Sequence, residues 1–252
     1  MQLSGSAAMV TGGTAGLGLA AARRLVKAGA QVVLLGRSKD AGRAAVAELG
    51  PQARFVAGSV TNEQDIVRAL DAADEAGPLR TVLTCAGGAH SKRIAGRRPM
   101  ELAEFTSVVD TNLVGTFNVI RLAVPRIIAQ PLIEEDRGVI VTTSSIAAWD
   151  GQAGQSAYAA SKAAVVGMTL PLARELAPHA IRVTNIAPGL FDTALLQTVP
   201  EPVRDLLRKQ IAHPKRMGSA DEFAALVEHI IANPMLNGET VRLDAGLRMP
   251  VL

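Results

Sequence analysis

The chain has 252 residues, 48% of them apolar and 19% charged, with 26 Lys and Arg against 23 Asp and Glu and a formal charge of +3; that is enough apolar chain for a large core and excludes a disordered or linker-dominated protein. The basic residues are scattered and only 3% of residues are aromatic, which argues against nucleic acid as the main partner. No apolar segment reaches the roughly 18 to 20 residues that span a bilayer, and a lone cysteine, Cys85, cannot form an intrachain disulfide and suits a reducing compartment.

The first strand-like run begins by Ala7, which leaves no room for a signal or transit peptide, so the expectation is a soluble cytoplasmic protein. Short apolar runs then alternate with longer amphipathic stretches. Strands are predicted at Ala7 to Thr11, Val32 to Leu35, Arg54 to Ala57, Thr81 to Thr84, Gly138 to Thr143, Ile181 to Ile186 and Glu239 to Leu243. Helices are predicted at Leu17 to Ala28, Asp40 to Leu49, Asn62 to Ala76, Met100 to Leu113, Gly115 to Ala129, Tyr158 to Leu176 and Asp221 to Ala232. Apolar strands joined by helix-length crossovers imply an α/β fold, a doubly wound parallel sheet of about seven strands covered on both faces. No linker or internal repeat divides the chain, so residues 1–252 read as one domain, with cofactor binding mainly in 1–143 and catalysis and substrate binding mainly in 144–252. Gly87 to Pro99, which carries Lys92, Arg93, Arg97 and Arg98, and Pro188 to Pro214 read as irregular, the kind of segment in which function sits.

Thr11-Gly12-Gly13-Thr14-Ala15-Gly16-Leu17-Gly18 follows the first strand and opens a helix. Glycine there permits a tight turn and close backbone approach, and the amides and dipole of a helix N-terminus favour a pyrophosphate. Taken alone, such glycines can also merely turn the chain. In a dinucleotide fold an acid at the end of the second strand binds the ribose hydroxyls of NAD, whereas an arginine accommodates the 2′-phosphate of NADP. Here the strand ends Leu35-Gly36-Arg37-Ser38, with no acid and an arginine beside its place. Arg37 offers a planar fork to a phosphate; its bland role is a solvated surface arginine.

Tyr158 is the only tyrosine of the chain, Lys162 follows it by four residues, and Ser145 precedes it at the end of the fifth strand. Positions i and i+4 share a helix face. An ordinary phenol is a poor base at neutral pH, and a neighbouring ammonium is expected to lower its pKa. Singly, each residue has a plain structural role; their occurrence together with the glycine turn, in this order along an α/β chain, marks a site.

With these motifs the chain resembles the short-chain dehydrogenase/reductase family over essentially its whole length. Thr11 to Gly18 matches the family's T-G-x-x-x-G-x-G turn, Asn112 in Asp110-Thr111-Asn112-Leu113 its active-site asparagine, and Ser145, Tyr158 and Lys162 the rest of its catalytic tetrad. Longer runs, Gly115 to Leu122, Gly167 to Pro171, Ala187 to Phe191, Leu236 to Glu239 and Arg242 to Asp244, resemble the type 2 3-hydroxyacyl-CoA dehydrogenase (17β-hydroxysteroid dehydrogenase) subgroup. The resemblance implies cofactor contacts from Gly12, Ala15, Gly16, Leu17 and Gly18, from Arg37 and Ser38, from Ser59 and Val60, and from Cys85-Ala86-Gly87. It adds Tyr158 and Lys162, and Pro188, Gly189, Phe191 and Thr193 in a segment that closes over the nicotinamide. Two departures favour NADP(H) while leaving NAD(H) open: Gly36 stands where the subgroup has its acidic anchor, and Ser59 where it has an aspartate against the adenine. Cys85 reads as a packed small residue beside the cofactor, not a nucleophile.

The resemblance also implies a mechanism. Tyr158 exchanges a proton with the substrate oxygen, Ser145 orients that oxygen, Lys162 binds the nicotinamide ribose, and Asn112 holds a water that links Lys162 to solvent. The implied substrate is a 3-hydroxyacyl-CoA or its 3-oxo partner, with hydroxysteroids or other secondary alcohols as the alternative; a cofactor-binding regulatory protein without turnover is the alternative from another class. The four basic residues from Lys92 to Arg98 suit CoA phosphates or a solvated loop. Asp192 suits a substrate contact or the surface. His90, His179, His213 and His229 lack metal-ligand spacing, so no metal is expected. A homotetramer built from the helices around Gly115 to Ala129 and Tyr158 to Leu176 is implied, with Val165, Val166, Met168 and Leu172 compatible with interface or core.

Overall fold

The computed structural model describes residues 3–193, 196 and 201–249. Seven strands form one sheet: β1 (Ala7–Thr11), β2 (Gln31–Gly36), β3 (Ala53–Ala57), β4 (Leu79–Thr84), β5 (Gly138–Thr143), β6 (Ile181–Pro188) and β7 (Thr240–Leu243). Their order is β3-β2-β1-β4-β5-β6-β7, and every neighbouring pair is parallel. The chain winds outward from β1 in one direction and from β4 in the other. A crevice therefore opens beyond the C-terminal ends of β1 and β4, where ligands settle in doubly wound sheets.

Successive side chains of a strand point to opposite faces. Ala8, Val10, Val32 and Leu34 pack in the layer formed with α1 (Gly16–Lys27) and the helix Ala220–Ala232, here α9. Met9, Val33 and Leu35 pack with α3 (Glu63–Ala76), α5 (Gly115–Ile128) and the end of α7 (Ser156–Leu176). Burying each large aliphatic side chain contributes about 1.5–3 kcal/mol relative to leaving it in water, so both faces of the sheet need their helices. The remaining helices are α2 (Lys39–Leu49), α4 (Leu102–Val109), the single turn α6 (Ala147–Asp150) and α8 (Glu201–Lys209).

Beyond shifts of one or two residues at element ends and the unpredicted single turn α6, the structure differs from the sequence expectation as follows. Helix α8 lies inside the stretch 188–214 that reads as irregular; Pro202 stands in its first turn, where a missing N–H costs nothing. The predicted helix Met100 to Leu113 is α4 followed by one wider π-helical turn, Asp110–Val114, continuous with α5. Strand β4 starts at Leu79 rather than Thr81, and so takes in Arg80. The Arg80 guanidinium is buried and donates to the carbonyl oxygens of Arg137 at 2.9 Å and Pro131 at 3.0 Å.

Candidate active site

The glycine turn lies in the crevice between β1 and β4. Gly12 has φ +65°, and a Cβ on it would come within 2.8 Å of the Ala86 nitrogen and the Cys85 carbonyl carbon; a Cβ on Gly18 would come within 2.4 Å of the Gly12 oxygen. The turn is thus drawn tight against Cys85-Ala86-Gly87, with Ala86 N also donating to Thr11 Oγ1 at 3.2 Å. Whereas α2, α3 and α9 begin with side-chain caps from Ser38, Asn62 and Ser219, α1 begins at Ala15 with no side-chain cap and no acid in its first turn. Its first amides are left for an anion. A cradle that a Cβ would fill and an uncapped helix start fit the pyrophosphate of a dinucleotide. Leu17 is partly buried against the first core layer.

Along the crevice, Arg37 is exposed and has no hydrogen-bond or ion-pair partner among the described residues. Ser38 is spent as the cap of α2, its Oγ accepting from Ala41 N at 3.2 Å. Ser59 N donates to Asp65 Oδ2 at 2.8 Å and its hydroxyl pairs with Thr61 at 2.8 Å, while Val60 is buried against Gly115.

At the other end of the crevice Lys162, buried on α7, donates from Nζ to the Thr143 carbonyl oxygen at 2.9 Å and stands 5.9 Å from the centroid of the Tyr158 ring. Burial pushes the ammonium pKa down to about 8, opposed by neighbouring Cys85. Burial pushes the Tyr158 phenol up, opposed by a hydrogen bond with Ser145. This corrects the sequence expectation of a lowered tyrosine pKa: desolvation favours the neutral phenol, and the Lys162 charge is directed at Thr143. Burial likewise pushes the Cys85 thiol up to about 11, against a 3.3 Å hydrogen bond with Thr143 Oγ1 and the Lys162 charge. A thiol so held is not a nucleophile.

Asn112 is brought inward by the π turn and is buried. Its Nδ2 donates to Gly88 O and Ser161 Oγ, and its Oδ1 accepts from Gly88 N, each at 3.0 Å. A Cβ on Gly87 would lie 3.0 Å from Asn112 Oδ1 and 3.4 Å from Lys162 Nζ, so these two groups flank one small residue. Ser145, Tyr158, Lys162 and Asn112 are thus gathered at the C-terminal ends of β4 and β5. Thr143 and Ser161, which hold Lys162 and Asn112, carry no signal in the sequence.

The expected closing segment begins in β6 and crosses the site. Pro188 O accepts from Ile146 N at 3.1 Å, and Gly189 N donates to Leu243 O at 2.9 Å. Phe191 is buried edge-on against Phe223, with ring centroids 6.4 Å apart, so its ring serves the core, while its backbone forms a bridge with Gly218. Thr193 reaches the glycine turn: its Cγ2 would lie 3.7 Å from a Cβ on Gly16. Asp192 is exposed and lines a cavity of about 330 Å³ with Arg204, Arg208, Arg216 and Met217.

A second cavity, of about 480 Å³, lies between Lys92 to Ala95 and Gly151 to Ser156, with Ala159 in its wall. Gln152, Gln155 and Ile94 line it; sequence reasoning missed them, although both glutamines lie in the short stretch between Ser145 and Tyr158. Of the four basic residues from Lys92 to Arg98, Lys92 is bound to Glu104 at 2.6 and 2.8 Å, whereas Arg93, Arg97 and Arg98 are exposed and unpaired among the described residues. His90 lies 3.5 Å from the same Glu104. Among the described residues no group of three His, Cys, Asp or Glu side chains is placed to hold a metal, and no helix is long and apolar enough to cross a membrane.

Residues 6–204 match a family model described as short chain dehydrogenase. The 3-hydroxyacyl-CoA dehydrogenase type-2 of Drosophila melanogaster is 47% identical over 98% of this chain and 99% of its own length. The Homo sapiens protein of that name is 46% identical over 98% of this chain and 97% of its own. The crystal structure of 3-hydroxyacyl-CoA dehydrogenase type-2 from Mycobacterium avium aligns with a TM-score of 0.94 at 40% identity, covering 98% of this chain and 97% of that one.

Proposed function

Since the chain belongs to the short-chain dehydrogenase family, and is thereby a CH–OH oxidoreductase that uses NAD(H) or NADP(H), we propose that it interconverts a 3-hydroxyacyl-CoA and its 3-oxo partner, with NADP(H) as the preferred cofactor. The observation that carries the chemistry is the joint placement of Tyr158, Ser145 and Lys162 beside the crevice. The substrate class rests on near full-length similarity to relatives named for it.

The bound nicotinamide supplies or accepts the hydride. In the reducing direction Tyr158, held by burial as a neutral phenol, donates its proton to the substrate oxygen as negative charge develops there. Ser145 donates a hydrogen bond to the same oxygen and fixes its position. Lys162 binds the ribose hydroxyls of the nicotinamide half and stabilises the phenolate that Tyr158 becomes. Asn112, tied to Gly88 and Ser161, holds the wall beside Lys162 and the water through which its proton reaches solvent. In the oxidising direction the same groups act in reverse, and Tyr158 takes the proton.

Gly36 and the unpaired Arg37 support NADP(H), as an acid is absent and a free guanidinium present. The cavity walled by Ala159, next in the chain to Tyr158, is the place for the acyl group, and Arg93 in its lining, with Arg97 and Arg98 in the same loop, suits the CoA phosphates. Val165 is buried, but Phe117, Val114 and Leu170 are exposed on and beside α5 and on α7, which supports assembly as a homotetramer through those helices; light scattering coupled to size exclusion reads it.

The experiment that tests the proposal is a set of initial rates with NADPH and NADH against acetoacetyl-CoA, a ketosteroid and simple ketones. The highest kcat/KM is expected with NADPH and the CoA thioester. Turnover confined to steroid or simple ketones would reject the substrate, equal or better kcat/KM with NADH would reject the cofactor preference, and tight cofactor binding with no turnover on any of these would favour a regulatory protein.

A further inference from the structure

The cavity of about 480 Å³ is walled largely by two stretches of chain, Lys92 to Ala95 and Gly151 to Gln155, neither of which belongs to a helix or a strand. Backbone without a ladder of its own keeps a fixed shape only if other contacts hold it. Here they converge on Lys92. Its N–H donates to the Gly154 carbonyl oxygen at 2.9 Å, and Gly154, at φ +87°, comes so near that a Cβ on it would lie 3.5 Å from the Lys92 backbone. Its ammonium donates to both carboxylate oxygens of Glu104, at 2.8 and 2.6 Å. Next in the chain, the Arg93 carbonyl oxygen accepts from Met100 N at 3.0 Å, so the arch from Arg93 to Met100 is closed at the foot that Lys92 holds. Glu104 is itself fixed. It stands in the first turn of α4, where the helix dipole favours a carboxylate, and its Oε2 also accepts from Glu101 N at 2.8 Å. The Lys92 ammonium and that amide hold its carboxyl below the ordinary carboxylate range. Ile94, two residues beyond Lys92, lines the cavity with 74% of its surface exposed.

We propose that Glu104 is a positioning residue for the substrate: through Lys92 it sets the loop that carries Arg93 and Ile94, so that this wall of the cavity is formed before the CoA thioester arrives. The proposal rests on the reading that the cavity takes the acyl group of a 3-oxoacyl-CoA, and deepens it by naming what holds the wall. Glu104 is not among the residues that line the cavity and acts through Lys92, which is. Its effect is entropic. A loop already held in place loses little freedom when a ligand binds, whereas a loop released at Lys92 has to be ordered as part of binding. Loss of the pair therefore weakens substrate binding and leaves the proton and hydride steps, at Tyr158 and the nicotinamide, as they were.

The test uses the full chain and initial rates of NADPH-dependent reduction of acetoacetyl-CoA and of cyclohexanone, which lacks both the acyl chain and the CoA moiety. Glu104→Gln keeps an acceptor for Glu101 N and removes the charge that holds Lys92. KM for acetoacetyl-CoA is expected to rise about fivefold, the upper end for an ion pair of this exposure, with kcat within about twofold. Lys92→Met is expected to do the same from the other side, and the double variant to rise no further than either single one, as two halves of one contact require. Lys92→Arg keeps a charge for Glu104 and is expected to return KM to within about twofold of the unsubstituted protein. In every variant kcat/KM for cyclohexanone and the affinity for NADPH are expected to stay within about twofold. An unchanged KM in Glu104→Gln, single effects that add in the double variant, or a fall in kcat and in cyclohexanone turnover alongside the rise in KM overturns the role of Glu104 and leaves the acyl cavity in place. An unsubstituted protein with no preference for acetoacetyl-CoA over cyclohexanone in kcat/KM overturns the substrate reading and this proposal with it.

Discussion

Lys162 Nζ stands 5.9 Å from the centre of the Tyr158 ring but donates its hydrogen bond to the Thr143 carbonyl oxygen, 2.9 Å away. The buried ammonium is thus held by a neutral acceptor, and burial pushes its pKa from the ordinary lysine value down to about 8. In the window from about pH 8 to about 10 the unfolded chain still carries the proton that the folded chain has lost, so this group makes stability rise with pH there. Replacing it by Lys162→Met removes that contribution. Urea denaturation at a series of pH values is expected to show the stability of the wild type gaining on that of the variant between pH 8 and 10, with cofactor-dependent turnover lost in the variant at every pH. A constant difference across the window would contradict the buried-ammonium reading.

Cys85 is held as a thiol by burial, with its pKa pushed up to about 11. At pH 8 only about one molecule in a thousand carries the reactive thiolate. Iodoacetamide is therefore expected to modify the native protein far more slowly than the urea-unfolded protein, and Cys85→Ser to keep kcat within about threefold, since the hydroxyl preserves the bond to Thr143. Rapid alkylation of the native protein accompanied by loss of turnover would assign Cys85 a different role.

Gly12 combines a left-handed φ of +65° with a Cβ position 2.8 Å from the backbone of Cys85 and Ala86. Both penalties fall on Gly12→Ala. The expected cost is about 3 kcal/mol of folding stability, from backbone strain plus forced separation of the two turns, together with loss of dinucleotide binding. Thermal unfolding and fluorescence titration with NADPH measure the two separately. A variant as stable as the wild type would mean that the turns part freely.

Arg182 and Asp136 form a pair in which both side chains are buried, with Nη2 to Oδ2 at 2.9 Å; Arg182 also donates to the carbonyl oxygens of Ile230, Ile231, Asn233 and Leu236, and so fastens the end of α9 to β6. Asp136→Ala leaves that guanidinium buried without its counter-charge, which costs about 3–5 kcal/mol. Denaturant midpoints are expected to fall accordingly while KM for the cofactor, bound at the opposite ends of the strands, changes little. An unchanged midpoint would show that the four carbonyl contacts suffice.

The alternation of short apolar runs with amphipathic stretches was enough to place all seven strands in their sequence order, because a strand buried on both faces leaves an apolar run that surface strands do not. The pattern failed where burial and polarity part company. Arg80 hides the start of β4, since a guanidinium buried against two carbonyl oxygens looks in sequence like a surface residue. Helix α8 was hidden among Pro200, Pro202 and Pro214, although a proline in the first turn is no obstacle. The π turn that brings Asn112 inward has no period that one chain can display.

At the site the residue types and their spacing were legible, but their electrostatics were not. A spacing of four positions places Tyr158 and Lys162 on one helix face; nothing in that spacing says that burial desolvates both groups, or that Thr143 takes the ammonium's hydrogen bond. The sign of the Tyr158 shift depends on that burial and was therefore read wrongly from the sequence. Similarly, the basic loop counts four charges in sequence, and Glu104 removes Lys92 from the free set.

The central claim is that Tyr158 is the proton donor and acceptor of a CH–OH oxidoreductase. Because the chain has a single tyrosine, the replacement Tyr158→Phe removes the only phenol and alters one hydroxyl. The measurement is kcat for acetoacetyl-CoA reduction with NADPH, alongside the affinity of the variant for NADPH. The account predicts a fall of at least about a hundredfold in kcat, the usual scale for a lost general acid, with cofactor binding retained. A variant that keeps more than about a tenth of the wild-type kcat would contradict it.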